Sequence, residues 1–102
     1  MNGENRVALT GRLVETGALR STPAGIAVLE FRLRHESERS EAGKMRKVRA
    51  EVEAIAFETE ARLIAAAALD GRLRVEGFLC ARSARSKKLI LHVTEVVFGQ
   101  GE

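Results

Sequence analysis

Two cationic runs hold the side chains whose type and spacing could do chemistry. One is Lys44-Met45-Arg46-Lys47-Val48-Arg49; the other is Arg82-Ser83-Ala84-Arg85-Ser86-Lys87-Lys88. Each borders a stretch that reads as a β-strand. Cationic loops on a small barrel can follow a phosphate backbone, so the first expectation is nucleic-acid binding. Arg82, Arg85, Lys87 and Lys88 are the candidates in the second run, where they would focus positive potential. The first run supplies Lys44, Arg46, Lys47 and Arg49. Glu51 and Glu53 lie on the outer face of the same strand and could pair with them. The competing reading of either run is a solvated loop that keeps the chain soluble.

Catalysis finds no positive support. His35 and His92 are the only histidines and Cys80 the only cysteine. That set builds neither a metal site nor an intramolecular disulfide. No serine sits in a nucleophile elbow, and there is no Gly-rich phosphate loop. Glu36, Glu38 and Glu41 fall in a polar stretch where nothing would raise a carboxyl pKa for acid–base work. The expectation is a protein without catalytic residues, cofactor or metal.

The 102 residues allow one domain, expected over 1–98, with a disordered tail over 99–102. Hydrophobic residues make up 45%, but the only aromatics are four Phe, with no Trp and no Tyr, so the core must be largely aliphatic. A core that small is marginal alone, and a homodimer is expected. The net charge of +3 is mild. Its distribution says more, since the acids gather over 36–41, 51–60 and the tail, away from the second cationic run. Neither a signal peptide nor an apolar run approaching the ~20 residues of a membrane span is present, so a cytoplasmic protein is expected.

The elements that must position these cations follow from periodicity. Alternation of Val7, Leu9 and Leu13 with polar neighbours predicts a strand over 6–14, bent at Gly11. Residues 15–25 read as a loop closed by the turn Ser21-Thr22-Pro23-Ala24-Gly25. A second strand covers 26–35, with Ala27, Leu29, Phe31 and Leu33 on the inner face. Residues 36–44 are polar and read as a mobile hairpin loop. A third strand runs from about 46 to 56, with Val48, Ala50, Val52 and Ala54 inward. The period then changes, and helix formers fill 58–69 with Ala61, Ile64, Ala65 and Ala68 on one stripe. Gly71 reads as the left-handed cap. Two more strands, 73–80 and 89–98, flank the second cationic run. Phe31, Phe57, Phe78 and Phe98 are read mainly as core, although Phe78 alternates less cleanly and could be exposed or at a dimer contact. The order β-β-β-α-β-β is that of the OB-fold. The fold class is therefore mostly β: a five-stranded Greek-key barrel with one helix between strands 3 and 4.

Several short segments resemble one family in order and spacing. They are Asn5-Arg6, Leu9 and Gly11; Ser21-Thr22-Pro23-Ala24-Gly25-Ile26; Phe31 with Leu33-Arg34-His35; Glu41-Ala42-Gly43; Val75-Glu76-Gly77-Phe78; and Lys88-Leu89-Ile90-Leu91-His92. Together they resemble primosomal replication protein N, the PriB family, and more distantly the bacterial single-stranded DNA-binding proteins. The resemblance covers 5–97. It implies a homodimer of OB-folds that binds single-stranded DNA and helps restart stalled forks in contact with the PriA helicase and other primosome proteins. It adds Arg20 and Arg34 to the candidate site. Family members can carry aromatic residues for base stacking beside the first cationic run, at positions corresponding here to Lys44 and Arg49. Binding should then lean on phosphates and respond strongly to salt, with Arg49 a partial stacking substitute. The alternative function is a protein-interaction adaptor for a replication helicase with only weak nucleic-acid affinity.

Overall fold

A computed structural model describes residues 2–99. The chain order is β1 (Val7–Thr16), β2 (Arg20–Ser21), β3 (Ala27–Glu41), β4 (Lys44–Phe57), α1 (Glu58–Ala65), β5 (Arg72–Ala81) and β6 (Leu89–Phe98). The sheet runs β1-β5-β6-β4-β3-β2, and a further β1–β3 pairing closes the five long strands into a barrel. This is the predicted OB-fold, with two-residue β2 inside the loop between the first two long strands. Among the described residues only β4 and β6 run parallel, through Ala54–Leu91, Ile55–His92 and Ala56–Val93.

Strand β1 closes the barrel by serving two partners. Val7 to Arg12 pair with β5, and Arg12 to Thr16 pair with β3 past a bulge between Leu13 and Glu15. Alternation puts one side of each long strand inside where it lies in the barrel. Leu13, Leu29, Leu33, Leu73, Val75 and Leu91 are fully buried there, and Ala27, Phe31 and Ala54 are nearly so. Two strands approach closely at Gly77, where an added Cβ would stand 1.7 Å from the His92 carbonyl oxygen. Only a residue without a side chain fits this contact.

The helix covers one end of the barrel with Ala61 and Ile64, both fully buried. Glu58 and Glu60 lie in its first turn, where the backbone dipole favours acids. It is shorter than the composition predicts, and Ala65 and Ala68 are exposed. The residues after Ala65 must return to β1: the Asp70 amide donates to the Leu13 carbonyl at 2.6 Å, and the Leu13 amide donates to the Gly71 carbonyl at 3.1 Å. The left-handed residue is Asp70, with φ 65°, and not Gly71. Aspartate tolerates that conformation better than most side chains.

The larger correction concerns 36–44. These residues form no loop but continue the β3–β4 ladder to Glu41 opposite Lys44. The β3–β1 ladder ends at Arg34 and the β4–β6 ladder at Ala54, so the rest is a two-stranded arm beyond the barrel. Both faces of such an arm meet water, which is why its sequence is mostly polar. Cross-strand ion pairs hold it instead: Glu36 with Arg49 at 3.4 Å and Glu41 with Arg46 at 2.8 Å. The arm turns at Ala42-Gly43, both with positive φ (52° and 78°), the pattern of a type I′ hairpin. The same geometry explains why Ala50 is exposed and Val48 and Val52 only half-buried, although all three were expected to face the core. Of the predicted tail, 100–102 lie outside the described residues, and the Gly99 amide donates to the Arg72 carbonyl at 2.8 Å. Among the described residues no helix is long and apolar enough to cross a membrane.

Candidate nucleic-acid interface

Register fixes what the outer face of the barrel presents. Glu30 on β3 is opposite Ile55 on β4, Ile55 is beside His92 on β6, and His92 is opposite Phe78 on β5. These four side chains make a row across four strands. Next to it, on the side of the arm, Arg32 is opposite Glu53, and Cys80 is opposite the buried Ile90.

The 82–88 loop is a true loop, as predicted. Its own backbone holds it, with the Arg82 amide donating to the Lys88 carbonyl at 2.9 Å and the Ser86 amide to the Ser83 carbonyl at 3.2 Å. The Lys88 amide also donates to Ser86 Oγ at 3.0 Å. The loop's first residue folds onto the barrel. Arg82 Nη2 donates to Glu30 Oε1 at 2.6 Å and lies 3.2 Å from Glu53 Oε1. Arg20, from the loop between β1 and β3, reaches the other Glu30 oxygen at 3.3 Å. Glu30 therefore ties both loops to the β3–β4 face. Its carboxyl is held below its ordinary value, chiefly by the Arg82 hydrogen bond, against partial burial, with the charges of Arg82 and Arg20 adding. The Arg82 guanidinium is correspondingly raised, first by its hydrogen bond to Glu30. The acids are thus not remote from the second cationic run, as their sequence positions suggested. Folding brings Glu30 and Glu53 to its base.

The ten predicted cations divide into two groups. Arg20, Arg34, Arg46, Arg49 and Arg82 each face a carboxylate. Arg34 pairs with Glu51 and Arg49 with Glu36, both at 3.4 Å, and Arg46 pairs with Glu41 at 2.8 Å. Lys44, Lys47, Arg85, Lys87 and Lys88 are exposed and have no carboxylate partner among the described residues. The first run is strand rather than loop, and this splits it. Lys47 and Arg49 share the outer face of β4 with Glu51 and Glu53, whereas Lys44 and Arg46 point to the opposite face of the arm. At ~3.3 Å per residue, Arg49 is about 13 Å and Lys47 about 20 Å along β4 from the Glu53 that anchors Arg82. The 82–88 loop, Arg34, Arg49 and Lys47 therefore lie along one continuous surface.

This architecture has relatives. The family described as "another single-strand binding protein family" matches residues 5–95. A replication restart protein PriB of Bordetella pertussis is 41% identical over 91 residues, covering 89% of this chain and 85% of that protein. The chain belongs to the PriB family. A solved PriB structure from Ralstonia solanacearum superposes with a TM-score of 0.85 at 28% identity, over 96% of this chain and all of that one. The single-stranded DNA-binding protein of Thermus aquaticus shares the fold, with a TM-score of 0.76 at 23% identity, over 97% of this chain and 52% of that one.

In this PriB-family chain, sequence reasoning passed over one outer-face feature. Phe31 is buried as expected, but Phe57, Phe78 and Phe98 are about two-fifths exposed. Phe78 stacks on His92 with ring centroids 5.0 Å apart and planes 15° apart, and Phe57 stacks on the same imidazole at 6.0 Å and 25°. Alternation does carry a signal. Val75 and Gly77 point inward, so Phe78 points out; Leu91 and Val93 point inward, so His92 points out. The alignment of His92 with Phe78 depends on a register shift between Glu76 and Gly77, which neither strand announces alone.

Proposed function

We propose that this chain is a non-enzymatic accessory protein of replication restart that binds single-stranded DNA. In this reading the strand lies along the outer face of β3 and β4 and under the 82–88 loop. Arg85, Lys87, Lys88 and Lys47 are the primary phosphate contacts. Arg20, Arg34, Arg49 and Arg82 join where a phosphate replaces their carboxylate, and Lys44 and Arg46 serve the far face of the arm. The observation that carries the reading is the 82–88 loop. It is fixed at its base by Arg82 and offers three cations that no carboxylate neutralises among the described residues. Membership in a family whose relatives are named replication restart proteins supports the cellular role. The protein acts in the cytoplasm at replication forks, beside the PriA helicase and other primosome proteins.

The working form is a homodimer. Its support is the β1 edge from Val7 to Gly11, which among the described residues has no strand partner on the side away from β5 because the β3 ladder starts at Arg12. Such an edge is a template for a second copy. Sedimentation equilibrium at micromolar concentration checks this, and a species of only 11.1 kDa would remove it.

The deciding experiment is titration of labelled oligo-dT across a salt series. Log affinity should fall linearly with log salt, by about 0.7 per phosphate contacted. One observation favours a second reading as a helicase adaptor: half of the predicted cations are already satisfied within the chain. Negligible DNA binding beside tight binding to the helicase would select that reading.

A further inference from the structure

We propose that Phe78, His92 and Phe57 form a nucleobase-stacking site on the outer face of β4, β5 and β6. The proposal rests on the reading of the chain as a single-stranded DNA binder and adds a place for the bases. It lies apart from Lys44 and Arg49, the positions that the family resemblance marks for stacking.

The three rings form a short column running across the strands, with His92 in the middle. The imidazole stacks with both phenyl rings, which stand on the strands either side of it. Each phenyl uses one face on His92, and both remain substantially exposed. A flat base can extend such a column at either end, and stacking of this kind is tolerant of sequence because every base has a π-face. Aliphatic side chains would suffice merely to shield a sheet. A graded stack of near-parallel rings suits a flat partner better.

Position supplies the second argument. His92 and Phe78 lie in the same row as Ile55 and Glu30, and Glu30 holds Arg82 at the foot of the cationic loop. Three strand spacings of ~4.8 Å separate Glu30 from Phe78. A polynucleotide with phosphates along Arg85, Lys87 and Lys88 can therefore lay bases toward the column without leaving the sheet face. Charge complementarity points to a polyanion with flat apolar groups, and single-stranded DNA has both.

The test uses the full chain and two labelled oligomers of equal length, oligo-dT and an abasic deoxyribose-phosphate strand. Phe57→Leu and Phe78→Leu keep apolar cover over the sheet, including Val28 opposite Phe57, but remove the π-faces. The double variant should lose roughly five- to hundredfold in affinity for oligo-dT. Its affinity for the abasic strand and the slope of log affinity against log salt should not change. A second readout uses the absence of Trp and Tyr from the chain. In Phe78→Trp the single indole should be quenched by oligo-dT and not by the abasic strand. If the wild type binds oligo-dT and the double variant binds it equally, the stacking site is overturned while the proposed function stands. If the variants change oligomeric state yet keep the wild-type preference for bases over the abasic strand, the face is a protein contact and the proposal fails. If the wild type binds neither strand at low salt, both readings fail together.

Discussion

Arg82 Nη2 and Glu30 Oε1 are 2.6 Å apart, and the same nitrogen lies 3.2 Å from Glu53 Oε1. The first residue of the cationic loop is thus neutralised by two acids of the face it borders. A phosphate entering there must compete with carboxylates already in place. Charge-assisted hydrogen bonds of this length are among the stronger ones, although their exposure to water limits what they contribute to stability. Replacing both acids by amides, Glu30→Gln with Glu53→Gln, should free Arg82 and Arg20 for phosphate. Affinity for oligo-dT should rise several-fold, and the salt slope should steepen by about 0.7 for each added phosphate contact. An unchanged slope would mean that the two arginines stay outside the DNA path.

The same clamp has a pH signature. The Glu30 carboxyl is depressed in the folded state, first by the Arg82 hydrogen bond, from an ordinary value of 4.5. A depressed carboxyl contributes stability above its unfolded pKa and loses it as pH falls through the folded one. The clamp should therefore be intact at neutral pH and open in acid solution, through a midpoint below 4.5. A titration of the Glu30 side-chain carboxyl by NMR should give a midpoint below 4.5, moving up toward that value in Arg82→Gln. A midpoint at or above 4.5 in the wild type would show that the ion pair does not form in solution.

The paired and unpaired cations should behave differently when reversed. Arg85→Glu with Lys88→Glu removes two unneutralised charges from the loop and adds two repulsive ones. Oligo-dT affinity should fall roughly tenfold or more, with a shallower salt slope. Arg46→Glu with Lys44→Glu places the same charge change on the far face of the arm and should have a much smaller effect. Equal losses from both variants would show that net charge alone governs binding and that the outer face has no special part.

How far the sequence can be read depends on which forces act locally. The barrel strands were legible because one face of each meets the core, so Leu29, Phe31 and Leu33 alternate with charges. The arm was not, because alternation disappears where both faces meet water, and the Glu36–Arg49 and Glu41–Arg46 pairs then look like loop chemistry. The end of α1 depends on Asp70 and Gly71 bonding to Leu13, some 57 residues away in sequence, and helix propensity carries no trace of that demand. The cationic character of 82–88 was plain. Its anchoring by Glu30 and Glu53 was not, since three separate segments meet there. The aromatic column was hidden by the register shift before Gly77.

Gly77 also allows a stability test. A Cβ there would meet the His92 carbonyl oxygen at 1.7 Å and its carbon at 2.8 Å, both backbone atoms of a paired strand. Neither can yield without parting β5 from β6. Gly77→Ala should cost roughly 3 kcal/mol or more, lowering Tm by at least about 10 °C in a domain of this size. At Gly17 the nearest atom to an added Cβ is 3.4 Å away, so Gly17→Ala should leave Tm nearly unchanged. Thermal unfolding followed by circular dichroism distinguishes the two, and equal Tm values would contradict the close strand approach.

The arm turn offers a final test of a local kind. Ala42 has φ 52° ahead of Gly43 at 78°, and an ordinary L-residue in that region carries a penalty of about 1 kcal/mol. Asparagine is favoured there, and Asn-Gly is a preferred type I′ pair. Ala42→Asn should therefore stabilise the arm without touching the barrel. The arm can open independently because, among the described residues, its outer edges lack strand partners beyond Arg34 on β3 and before Ala54 on β4, so the gain should appear locally. Hydrogen exchange of amides in 36–49 should slow roughly fivefold, while core amides at Leu29, Val75 and Leu91 exchange as before. If the core slows equally, the arm and barrel open as one unit. If nothing slows, the left-handed turn is not populated in solution.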